Sequence, residues 1–201
     1  NLFKAPETYM EKISTKVKEK NVVDLDYSVK KNIFNLSEYL NKKPENLTAC
    51  ILKRSRHDEI IEELKKLNVK IKFLTDGDVS GALLVTDQKY GVDIFLGTGG
   101  GPEGVLAATA LDTFGCSFQG RFLFETDDEK KRAKSMGIND LSKKYEINEI
   151  VSGDSIFCAT GITSGDLVSG IKVENDVFVS ETLVTHKSTG LKELIKLKQN
   201  I

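Results

Sequence analysis

Long apolar runs are missing from this sequence. No stretch approaches the ~18 residues a membrane-spanning helix requires, and no signal-peptide core is present. A charge surplus is missing as well. The chain carries 29 Lys and Arg against 30 Asp and Glu, a formal net charge of −1. That excludes a sequence-independent nucleic-acid binder, which needs a basic excess. Cysteine is scarce. Cys50, Cys116 and Cys158 are odd in number, far apart and set in apolar contexts, so they read as buried thiols of a reducing cytoplasm rather than a disulfide framework. No linker, low-complexity tract or fixed-period repeat divides residues 1–201, and the chain reads as one structural unit. What remains is a globular composition, 39% hydrophobic and 29% charged, sufficient for one compact domain with a core.

The apolar residues that are present fall into a rhythm. Met10, Ile13 and Val17 follow Pro6 and Thr8 at helical spacing and predict a first helix. "VVDLD" (22–26) reads as a short extended piece. Val29, Ile33, Leu36 and Leu40 form a second amphipathic stripe that starts from Ser28 and ends at Asn41 and Pro44. Then strands over 47–52, 69–74 and 92–97 alternate with helices over 57–67, 79–86 and 102–114. Three strand–helix units in succession predict a parallel βαβ architecture with strands covered on both faces. Further on, 117–125 alternates like a strand, and 127–137 is a charged helix closed by Gly137. Residues 154–166 hold a strand and a small-residue loop, 177–186 is β-rich, and 191–198 reads as a terminal helix. The Lys-rich stretches "KISTKVKEK" (12–20) and "EKKRAK" (129–134) read as solvated helix faces.

The unusual polar residues cluster where parallel strands end, the place where ligands bind in such sheets. Lys53, Arg54, Ser55, Arg56 and His57 follow the first of these strands, Asp76, Gly77 and Asp78 the second, and "GTGGGPEG" (97–104) the third. Only four of the 29 basic residues are arginine, and two of them, Arg54 and Arg56, share one strand end. Guanidinium groups grip phosphate in bidentate fashion; the plainer alternative is that they cap the sheet edge and pair with surface acids. His57 reads as part of the following helical turn, without a catalytic role. The glycines allow close backbone approach, and no Gly-Lys-Ser/Thr follows, so this is no Walker loop. Glu103 either complements the helix dipole or holds a divalent cation that bridges to phosphate. Two carboxylates on one loop repel each other unless cations, metal or sugar hydroxyls satisfy them. With arginines for phosphate, the set reads as a sugar-phosphate site. A rival reading is a haloacid-dehalogenase-type phosphatase in which Asp76 attacks phosphorus and Asp78 acts as acid; no later acidic pair supports it.

The segments "DGDVSGAL", "GTGGGPEGVLAATAL", "FQGRF" and "ATGITSGDL" resemble, in order and spacing, the signature segments of class II fructose-1,6-bisphosphatases. Many members of that family also act on sedoheptulose 1,7-bisphosphate. The likeness runs from "APETYMEK" to "VTHKSTG". It implies an α/β layered sugar-phosphatase fold shared with inositol monophosphatases, present in part, with parallel βαβ units and a mixed sheet. It implies hydrolysis of the 1-phosphate of fructose 1,6-bisphosphate, with Mn²⁺ or Mg²⁺ activating water and no phosphoenzyme. The missing export signals and the cysteine usage predict a cytoplasmic protein, the charge balance and short apolar runs predict no nucleic-acid or membrane partners, and a homo-oligomer is expected. By the same resemblance Tyr9, Arg54, Ser55, Arg56, Asp76, Gly77, Asp78 and Gly100 contact substrate, and Glu103 is a metal ligand. Arg54 stands where the family often has lysine, and Ser55 where proline is common. The resemblance also implies a portion ahead of Tyr9 that carries most metal ligands and the water-activating group. These 201 residues would then be a substrate-binding part, and a binding module without turnover is the alternative.

Overall fold

The computed structural model describes residues 2–200. Six strands, β1 (Tyr9–Thr15), β2 (Thr48–Leu52), β3 (Lys70–Leu74), β4 (Ile94–Gly100), β5 (Ser117–Leu123) and β6 (Lys144–Glu146), form one mixed sheet in the order β3-β2-β4-β1-β5-β6. β2 runs parallel to both β3 and β4. β1 lies antiparallel between β4 and β5. The carboxyl ends of β2, β3, β4 and β5 and the amino end of β1 therefore share one edge.

Helices cover both faces. On one side α1 (Val29–Tyr39) and α2 (Asp58–Lys66) bury Ile33, Leu36 and Leu64 against Ile13, Ala49 and Ile94 of the strands. On the other, α3 (Asp78–Leu83) and α4 (Gly101–Phe114) set Ala82, Val105 and Ala108 against Met10, Cys50 and Phe95. Alternate residues of β4 and β2 thus enter different cores, as a period of two demands. α1 starts at Ser28, whose hydroxyl accepts the Lys31 amide at 3.2 Å. The charged helix α5 (Asp127–Ser135) opens with a Thr126/Glu129 capping box, and α6 (Ile147–Ile150) is a single turn.

A second sheet, β7 (Ile156–Thr160), β8 (Lys172–Glu174), β9 (Val177–His186) and β10 (Leu191–Asn200), packs on the far side of α4, with order β10-β9-β7 and β8 also paired to β9. The Thr113 and Thr185 hydroxyls meet at 2.8 Å, and Lys187 reaches Asp112 at 2.8 Å. Sandwiched between two sheets, α4 is apolar over most of its surface, with Leu106, Pro102 and Glu103 left exposed.

Several expectations from sequence are overturned. The stretch with Met10 and Ile13 is strand β1, not a helix. As a strand covered on both faces it buries residues of both parities: Met10 enters the α3/α4 core and Ile13 the α1/α2 core. Lys12, assigned to a solvated face, is 1% exposed. The predicted terminal helix is β10, which pairs with β9 residue for residue across a turn where Gly190 holds φ +68°. Its alternating Leu and Lys fit a strand as well as a helix, and the partner strand decides. Residues 22–26 form no strand, because side chains of Asn32 and Gln119 capture the Asp24 and Leu25 amides at 2.8 Å each. Cys158 is exposed: it lies beside Ile156 on the outward face of the second sheet, which no layer covers among the described residues. Cys50 and Cys116 are buried as expected, and burial pushes their thiols up to about 12 and about 11.

Candidate functional site

The glycine segment read as a loop is still strand. Gly97, Thr98, Gly99 and Gly100 continue β4, paired with Lys12, Glu11, Met10 and Tyr9 of β1, and α4 begins at Gly101 without an intervening turn. The Gly101 amide donates to the Thr8 carbonyl at 2.7 Å. Three glycines are needed because other groups occupy the space a Cβ would take. A Cβ on Gly99 would lie 2.2 Å from Asp78 Oδ2 and 3.1 Å from Lys12 Nζ, and one on Gly100 would lie 1.9 Å from Glu103 Oε2. A Cβ on Gly104 would meet Met10 Sδ at 2.4 Å and Lys12 Cε at 3.0 Å. The close approach here is made by the protein's own carboxylates and by a lysine stem.

At the centre sits a side chain that sequence reasoning missed. Lys12 projects from β1 toward α4 and pairs with Asp78, the first residue of α3. Burial pulls the Lys12 ammonium below its ordinary pKa; Asp78 and then Glu103 oppose that pull, while the nearby Arg56 adds to it. One buried cation therefore reports that Asp78, Glu103 and Arg56, drawn from three different strand ends, lie around it. Only its position opposite a run of glycines hinted at this.

The basic turn is anchored from below. Ser55, Arg56 and His57 form one 3₁₀ turn before α2. Arg56 Nε donates to the Thr98 carbonyl at 2.9 Å, and its guanidinium lies over the Tyr9 ring at 5.0 Å. His57 is fully buried. Its Nε2 accepts the Thr98 amide at 2.8 Å, which leaves Nδ1 to donate to the Leu52 carbonyl at 2.7 Å. Burial holds His57 below its ordinary pKa, and the Arg56 and Arg54 charges act in the same direction. The imidazole is a neutral strut between the ends of β2 and β4.

Arg54, Ser55, Asp76 and Gly77 lie exposed on the same edge, outside this contact group. The Arg54 guanidinium donates to its neighbour's carbonyl, Lys53 O, at 3.1 Å. Asp76 accepts the Gly77 amide at 2.9 Å, and Gly77 adopts φ +82° to start α3. The Lys53 amide donates to Leu74 O at 2.8 Å, tying the two loops together. At the ends of β4, β1 and β5 opens a cavity of about 580 Å³, lined by Glu7, Tyr9, Gly100, Glu103, Glu125 and Glu129 among others; neither the Arg54–Arg56 turn nor Asp76–Asp78 lines it. Glu129 is occupied in the α5 capping box. Among the described residues no three His, Cys, Asp or Glu side chains are grouped to hold a metal ion. Glu103 offers one carboxylate near a buried ammonium, and a single carboxylate does not make a complete divalent site.

The arrangement is similar to known proteins in sequence. A family profile described as bacterial fructose-1,6-bisphosphatase, glpX-encoded, matches residues 1–199. A D-fructose 1,6-bisphosphatase class 2/sedoheptulose 1,7-bisphosphatase of Synechococcus sp. (strain JA-3-3Ab) is 34% identical over 196 residues, covering 91% of this chain and 56% of the relative. Proteins of the same description from Gloeobacter violaceus and Prochlorococcus marinus (strain AS9601) are 32% and 34% identical, each over 91% of this chain and over 57% and 59% of the relative. The chain thus spans less than two thirds of the length of these relatives.

Proposed function

The chain belongs to the glpX-encoded bacterial fructose-1,6-bisphosphatase family, and from that premise we propose that it is the substrate-holding part of a hydrolase acting on the 1-phosphate of fructose 1,6-bisphosphate. Sedoheptulose 1,7-bisphosphate, named for the relatives, is a second candidate substrate. The observation that carries this reading is the gathering of Asp78, Glu103 and Arg56 near one buried cation at one sheet edge, with the Arg56 guanidinium over the Tyr9 ring. In this reading Arg54, Ser55 and Arg56 hold the phosphate distant from the reacting one, as planar forked donors do. Asp76 and Asp78 accept from sugar hydroxyls across the Gly77 turn, while Tyr9 and Gly100 border the ring. Fixing both ends of the substrate makes the reacting phosphate's position predictable, which is where positioning lowers a barrier.

Mn²⁺ or Mg²⁺ is the expected cofactor, with Glu103 as the donor contributed among the described residues. That single donor also favours a second reading, a sugar-phosphate-binding unit that does not turn over alone. The dehalogenase alternative loses its footing because the chain belongs to another family. The expected assembly is a homo-oligomer, which sedimentation velocity would read.

The test combines calorimetric titration of fructose 6-phosphate with phosphate release from fructose 1,6-bisphosphate in Mn²⁺ and in EDTA. Binding with release that stops in EDTA supports the hydrolase; binding without release supports the binding unit; no binding overturns both. Glu103→Gln is expected to abolish any Mn²⁺-dependent release while the unfolding free energy from urea titration stays within ~0.5 kcal/mol of the parent, the scale of an exposed helix-dipole charge.

A further inference from the structure

The role of Lys12 goes beyond anything the site reading requires. A lysine at 1% exposure between a central strand and a helix is costly, and packing alone would be served by an apolar residue of the same length. The structure spends three glycines around it. Gly104 in the first turn of α4 leaves room for its stem, Gly99 lies against its ammonium and the Asp78 carboxylate, and Gly97 is its cross-strand neighbour. Its ammonium meets Asp78 through Oδ2 only. Asp78 itself is 12% exposed at the side chain, so the carboxylate stands between the buried cation and the rim.

We propose that Lys12 is a positioning residue for ligand recognition: it anchors one oxygen of Asp78 against the Gly99 backbone and so aims the other at the hydroxyls of a bound sugar phosphate. The ammonium touches no ligand. It acts through Asp78, to which it is hydrogen-bonded; Arg56 reaches it only as a nearby charge, and the Arg54–Arg56 turn hangs on Thr98 and His57 instead. The phosphate-holding and hydroxyl-holding halves of the rim are therefore separable. This inference rests on the sugar-phosphate reading for the identity of the ligand.

The experiment uses the full chain and three variants: Lys12→Met, Asp78→Asn and the double variant. Fructose 6-phosphate and inorganic phosphate are titrated into each, and amide exchange is followed at Asp78–Gly81 and Gly99. Lys12→Met is expected to weaken fructose 6-phosphate about tenfold, the scale of one charge-assisted hydrogen bond, and to leave inorganic phosphate within about twofold. The double variant is expected to bind fructose 6-phosphate no more weakly than Asp78→Asn, since both changes remove one device. It also folds without a stranded charge should Lys12→Met alone fail to fold. Exchange is expected to quicken at Asp78–Gly81 and Gly99 in Lys12→Met. Equal weakening of both ligands, additive losses in the double variant, or unchanged exchange at these amides each overturns the proposal. A parent chain that binds neither ligand overturns the sugar-phosphate reading, and the positioning of Asp78 by Lys12 then stands or falls on exchange alone.

Discussion

His57 shows what a single buried side chain contributes and how its protonation enters. The neutral ring fills one hydrogen-bond demand on each of two strand ends. His57→Ala leaves the Leu52 carbonyl and the Thr98 amide unpaired, and the expected loss is on the order of 2–3 kcal/mol in urea unfolding. The sign of the pH effect follows from the depressed pKa. The unfolded chain takes up a proton near the ordinary histidine value of about 6.5, while the folded ring resists it. The His57 contribution is thus complete above that pH and declines as pH falls through it. Urea midpoints at pH 7.5 and 5.5 should differ more in the parent than in His57→Gln, and equal slopes would remove His57 from the pH response. The sequence placed this histidine correctly at the strand end but could not show it as a strut, because its partner Thr98 comes from a strand far along the chain. Lys12 was hidden for the same reason. A lysine in a Lys-rich stretch reads as solvated until a distant aspartate and a row of glycines are folded over it.

Among the elements, the three strand–helix units were legible because each apolar run is bounded by turn residues and each helix carries its own amphipathic stripe. Two elements resisted. β1 is covered on both faces, so its apolar residues carry no period of two, and the spacing of Met10, Ile13 and Val17 imitates a helix. β10 alternates in a way that either period accommodates, and only the facing β9 selects the strand. The glycine segment was placed at the right strand end but assigned to a loop, because glycines usually end strands; here they let β4 continue beneath two carboxylates. α4 was legible as a helix from its Pro102 start and its small apolar residues, and those residues now have a reason. Ala107, Ala108 and Ala110 are at most 1% exposed between the two sheets. Ala108→Leu is expected to cost about 1–3 kcal/mol by overpacking, measured as a lowered urea midpoint at unchanged slope. A neutral result would mean that the layers around α4 can separate.

At the scale of the whole molecule, burial is uneven. The six-stranded sheet is covered on both faces, while β10 is an edge strand whose residues from Lys192 to Asn200 are all exposed. Opening should therefore follow that gradient. Hydrogen exchange is expected to release β10 first and the amides of β1 and β4 last, and uniform protection of both sheets would contradict it. The description of the chain as layered α/β, read from the family likeness, holds at this scale, and the pairing of the last strands was the part a likeness to short motifs could not convey. The 14 residues of α4 span ~21 Å, with Glu103 at the start and Thr113 seated on β9 near the end. Such a rod cannot tilt at its head without its foot shifting too, so a ligand that draws Glu103 toward itself pulls, by plain leverage, on a hairpin it never meets.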